Sequence, residues 1–98
     1  MKIERTHQNS NDSYNFKIDD SIALEIGDTA VSTLGIELPS SGSMDEYYDA
    51  VEKQFDIEKM VSDILNKNKV SKIVIDSEVC RADGEIVLQT SDLEKYKK

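Results

Sequence analysis

The sequence lacks most of what builds a catalytic or cofactor site. Cys80 is its only cysteine and His7 its only histidine. A single cysteine excludes an internal disulfide, and without clustered His and Cys there is no zinc signature. Tryptophan is absent, and aromatic residues make up only 6% of the 98 positions. No apolar run approaches the roughly 20 residues needed to span a bilayer. Residues 1–13 also lack the apolar segment of a secretion signal. The simplest expectation is a cytoplasmic protein in a reducing compartment, without a membrane partner. The formal glycosylation acceptor at Asn11, Asp12 and Ser13 then carries no meaning.

Positive charge is scarce as well. Twelve Lys and Arg stand against 20 Asp and Glu, for a net charge of −8. Such a chain is repelled by phosphate backbones and anionic lipid surfaces, which argues against direct nucleic-acid binding. The same charge attracts basic proteins, including the nucleic-acid-binding faces of other proteins. Hydrophobic residues at 38% still suffice for one core. The expectation is a single small acidic domain over 1–98, with 1–13 and 91–98 mobile.

The apolar periodicity predicts the elements. Tyr14, Phe16 and Ile18 alternate with polar residues, as do Ile22, Leu24 and Ile26 beyond a turn at Asp19, Asp20 and Ser21. This is a β-hairpin pattern. Lys2, Ile3 and Glu4 suit a short edge strand. Residues 29–38 suggest a further strand bent near Gly35, with a short helix over 29–34 as the competing reading. Ser43 and Glu46 have the spacing of a capping box and open the clearest helix of the chain. Its apolar residues form two stripes, Met44, Tyr48, Val51 and Phe55, then Ile57, Met60, Val61, Ile64 and Leu65. One continuous helix, kinked or straight, is preferred over a break near Phe55 with Asp56 as a second cap. A second hairpin is built from 71–79 and 85–89 around Asp83 and Gly84. The predicted fold class is α+β: an antiparallel sheet of four to five strands, in two hairpins, with one long amphipathic helix on one face.

Candidate chemistry is thin. A Cys80–His7 nucleophile pair has no support, since His7 sits in a polar segment and a base must be held within reach of its target. Asp76, Glu78, Asp83 and Glu85 cluster at the second hairpin but lack calcium-loop spacing. The loop 39–43 leads into a helix N-terminus, yet it lacks a phosphate-binding lysine, and Asp45 and Glu46 place negative charge there. Tyr48 reads as core, whereas Tyr47 flanks the apolar face. The sequence therefore predicts no enzyme, no metal and no cofactor.

What survives is a row of acids. Asp45, Asp49, Glu52, Asp56 and Asp63 fall on one face of a helix, along a stripe roughly 27 Å long at about 1.5 Å per residue. Between positions 45 and 63 seven acids meet two lysines. Asp49–Lys53, Asp63–Lys67 and Asp56–Lys59 have local ion-pair spacing, as on ordinary solvated helices. Asp45 and Glu52 have no such lysine one turn on. The five acids are the candidate partner-binding residues.

The run Gly84-Glu85-Ile86-Val87-Leu88-Gln89-Thr90-Ser91-Asp92, continuing through Tyr96-Lys97, resembles a segment of the phage uracil-DNA glycosylase inhibitors, acidic α+β proteins that mimic DNA. The family's inhibitory acids have no motif counterpart here, so no residue role is carried over. Size and charge lead to the expectation of a cytoplasmic inhibitor or antagonist, of the immunity or phage counter-defence type. It would act as a nucleic-acid mimic on a basic protein partner. The alternative is a structural or regulatory subunit that forms a homodimer, or docks in an assembly, through an open sheet face.

Overall fold

Alternation along the strands is what builds the core. In the computed structural model, which describes residues 2–6, 13–77 and 79–98, six strands form one sheet in chain order. They are β1 (Ile3–Thr6), β2 (Ser13–Ile18), β3 (Ile22–Gly27), β4 (Lys72–Ile75), β5 (Val79–Ala82) and β6 (Glu85–Gln89). Cross-strand partners share a face, so the register defines rows across the sheet. One row runs Arg5, Phe16, Leu24, Ile73, Ala82, Glu85, and the next Tyr14, Ile26, Ile75, Cys80, Leu88. The centres of these rows are buried and face the helices. The opposite face carries the row Thr6, Asn15, Glu25, Val74, Arg81, Ile86.

The fold is α+β, but the sheet is mixed and not antiparallel throughout. β3 and β4 pair in parallel, with Leu24 opposite Ile73, while the other neighbouring pairs are antiparallel. A parallel neighbour requires a long crossover, and three helices supply it: α1 (Asp28–Thr33), α2 (Met44–Gln54) and α3 (Ile57–Lys67). Segment 29–38 is thus not a strand. Its first part is helical, and Gly35 at φ +73° ends the turn after α1. Segment 71–79 is likewise divided between β4 and β5.

The single long helix is two. Ser43 caps α2 as expected, accepting from the Glu46 amide at 3.4 Å. At Phe55 the backbone turns extended, at φ −136° and ψ 126°, and Asp56 becomes the cap of α3 by accepting from the Lys59 amide at 3.2 Å. The two apolar stripes explain the break. Tyr48, Val51 and Phe55 lie at one angle and Ile57, Met60, Val61 and Ile64 at another, so a straight helix could not bury both, and all seven are buried here.

The chain's last residues, expected to be mobile, are packed against this junction. Beyond α4 (Thr90–Leu93) a 3-10 turn spans Glu94–Tyr96, and both Leu93 and Tyr96 are 1% exposed. Asp56 donates its amide to the Tyr96 carbonyl at 2.6 Å, and the Lys98 amide donates to the Gln54 carbonyl at 2.9 Å. At the other end β1 pairs with β2, while 7–12 lies outside the described residues.

Candidate functional site

The acidic row is divided among three places. Asp45, Asp49 and Glu52 converge on one cation, Arg5 of β1. Arg5 sits opposite Phe16, on the helix side of the sheet, which aims it at α2. Its guanidinium pairs with Asp49, approaches Asp45 at 3.8 Å, and donates from Nε and Nη2 to the two oxygens of Glu52 at 3.4 Å each. It also lies over the Tyr48 ring, 5.8 Å from the centroid. The carboxylates, Asp49 first and then Glu52, hold the arginine above its ordinary pKa. Three carboxylates to one guanidinium leave a local surplus of negative charge. Asp45 and Asp49 present it to solvent, with 67% and 54% of their side-chain surface exposed.

Asp56 and Asp63 are placed elsewhere. Asp56 is occupied as the α3 cap. Asp63 accepts a hydrogen bond from the Tyr96 hydroxyl at 2.8 Å. Beside the junction a hollow of about 430 Å³ is bordered by Glu52, Asp56, Glu58 and Lys98, whose ammonium donates to the Glu52 carbonyl at 3.0 Å. Arg5 was invisible to sequence reasoning: its partners lie 44 and 47 positions away, and its bare identity in a short edge strand says nothing of α2.

Tyr48 is the core residue its spacing predicts. Its ring packs edge-on against Tyr14 and Phe16, with centroids at 5.8 and 5.2 Å. Its hydroxyl donates to the Thr6 carbonyl at 2.7 Å and accepts from the Asn15 amide at 3.3 Å. The residue at the base of the arginine cluster thus also fixes the end of β1. Tyr47 is half-buried at the margin of the core.

The remaining candidates have structural roles. Cys80 is fully buried, and burial pushes its thiol up to about 12, so it holds its proton at neutral pH. His7 and Glu78 lie outside the described residues. Asp76 pairs with Arg81. Asp83 accepts from the Ser71 and Lys72 amides and from the Ser71 hydroxyl, at 2.9–3.2 Å, clasping β4 to the β5–β6 turn. Among the described residues no group of three or more His, Cys, Asp or Glu side chains is arranged to hold a metal ion, and no helix is long and apolar enough to cross a membrane.

Compared with known proteins, the chain matches no protein-family model, no curated protein and no solved structure.

Proposed function

We propose that this is a small acidic interaction protein of the inhibitor or antagonist kind, the class that includes immunity and phage counter-defence proteins. It blocks a basic surface of a partner protein, one shaped to hold nucleic acid, by presenting carboxylates in place of phosphates. The observation that supports this reading is the gathering of Asp45, Asp49 and Glu52 on one face of α2 around a single arginine. Their surplus charge stays at the surface, where complementary charge speeds encounter and makes binding salt-dependent. The homodimer reading has less to support it. Of the row on the sheet's other face, only Val74 and Ile86 are large and apolar, among the half-buried Glu25 and Arg81 and the buried Asn15.

The test uses the tagged protein to capture partners from cells, washed first at low and then at high salt. Asp45 is the acid to reverse, because at 3.8 Å it is the loosest of the three on Arg5. The expected result is a basic partner retained at low salt, released at high salt, and recovered less well by Asp45→Lys of unchanged thermal stability. A partner held equally by both proteins at every salt concentration would remove the acidic face from the argument.

A further inference from the structure

Among the described residues β6 stands last in the strand order and pairs with β5 alone, so its outer side offers backbone donors and acceptors to a further strand. Natural edges are commonly guarded by charge in mid-strand. β1, at the far side of the sheet, has Glu4 and Arg5 at its centre, whereas the centre of β6 is Ile86-Val87-Leu88. Ile86 is 54% exposed.

A cavity adjoins this edge. The β5–β6 register slips between Cys80 and Arg81, leaving Val87 as the extra residue of a bulge. Regular alternation would send Val87 and Leu88 to opposite faces, but here both line one cavity on the helix side. Ile64 and Tyr96 complete its apolar lining, and the exposed Lys67 and Lys95 form its rim. Asp63 also borders it, with its carboxylate engaged by Tyr96. The volume is about 170 Å³, well under the roughly 300–1,000 Å³ typical of small-molecule sites. That is room for one anchoring side chain, not a whole ligand.

We infer that β6 is a strand-addition site for an extended segment of a partner protein, one in which an apolar residue has Asp or Glu two positions before and after it, on the same side of the strand. The segment's main chain pairs with the outer edge of β6, its apolar side chain enters the cavity over Val87 and Leu88, and its acids meet Lys67 and Lys95. The site has the opposite charge preference to the α2 face and lies at the other edge of the sheet, so it stands independently of that reading.

The test titrates the intact protein with a labelled peptide, Thr-Glu-Thr-Leu-Thr-Glu-Thr, followed by fluorescence anisotropy and by backbone amide shifts. The expected result is saturable binding with shifts centred on 85–89. Binding should weaken about tenfold or more in a Lys67→Glu, Lys95→Glu double variant of unchanged melting temperature. It should be lost when alternate backbone nitrogens of the peptide are methylated. No binding up to millimolar peptide, equal binding of the analogue with lysine in place of glutamate, or shifts confined to other elements would each overturn the proposal. Concentration-dependent shifts at 85–89 without peptide would assign the edge to a second copy of the chain and overturn it as well.

Discussion

Arg5 in β1 and Asp49 in α2 form an ion pair across 44 positions of sequence, with Tyr48 beneath the guanidinium. The pair joins the first strand of the sheet to the helix that bears the acidic face. Part of that acidity is therefore spent within the molecule. Without Arg5, Asp45, Asp49 and Glu52 would repel one another along one side of α2. With it, the same three charges fasten the edge strand.

Arg5→Gln should destabilise the protein by about 1–2 kcal/mol, more than a lone surface pair because several carboxylates lose their shared partner. The loss should shrink at high salt, where repulsion among the freed acids is screened. Urea denaturation of both proteins at two salt concentrations measures it. An unchanged midpoint would mean that the cluster adds nothing to stability.

Asp56 is predicted to matter as a cap and not as a charge. Its side chain accepts from the Lys59 amide at the start of α3. Asp56→Ala should then cost about 1 kcal/mol, and Asp56→Asn, which keeps an accepting oxygen, only a few tenths. Equal losses in the two variants, read from urea midpoints, would contradict the capping role.

The contrast between Ser43 and Asp56 shows what could be read from the sequence. Ser43 acts locally: a hydroxyl three positions before Glu46 caps the helix whatever packs around it, and the structure has it so. Asp56 was in phase with the acids before it, and that phase favoured one helix. The break is decided instead by the buried Phe55 and by the Tyr96 carbonyl, which takes the Asp56 amide. That partner lies 40 positions on, beyond any periodicity. The first hairpin was legible in the same local way; of the second, the turn was, since Asp83 and Gly84 have the positive φ that a two-residue turn requires, but the strand that β6 pairs with is 79–82 and not 72–75. The parallel pairing of β3 with β4 was not legible, because a strand's own pattern does not record the direction of its neighbour. For the acidic row, spacing gave the face of α2, but Arg5 came from the other end of the fold.

Asp83 should give the protein a specific sensitivity to acid. Hydrogen bonds from the Lys72 amide, the Ser71 hydroxyl and the Ser71 amide hold its carboxyl below the ordinary carboxylate range. A depressed pKa contributes stability that is present above the unfolded value and is lost as pH falls through the folded one. Urea midpoints measured from about pH 5 down to pH 2 should therefore fall more steeply for the natural protein than for Asp83→Asn. Parallel profiles would show that the clasp does not depend on the charge.

Tyr96 offers the last test, because it separates burial from hydrogen bonding at the end of the chain. Leu93 and Tyr96 are both fully buried, and the Tyr96 ring lies edge-on to Phe55 at 6.3 Å. Deleting 90–98 should cost roughly 3–6 kcal/mol, at about 1.5–3 kcal/mol for each large side chain uncovered. Tyr96→Phe keeps the ring and removes only the bond to Asp63, so its cost should be about 1 kcal/mol. Burial first, and then Asp63, push the Tyr96 hydroxyl up to about 12. A raised pKa contributes stability that is present below the unfolded value, near 10 for tyrosine, and is lost as pH rises through the folded one. The natural protein should thus lose stability between about pH 10 and pH 12 more steeply than Tyr96→Phe. If the deletion cost no more than Tyr96→Phe, the final turn would be held by the Asp63 bond alone and its apolar packing would add nothing.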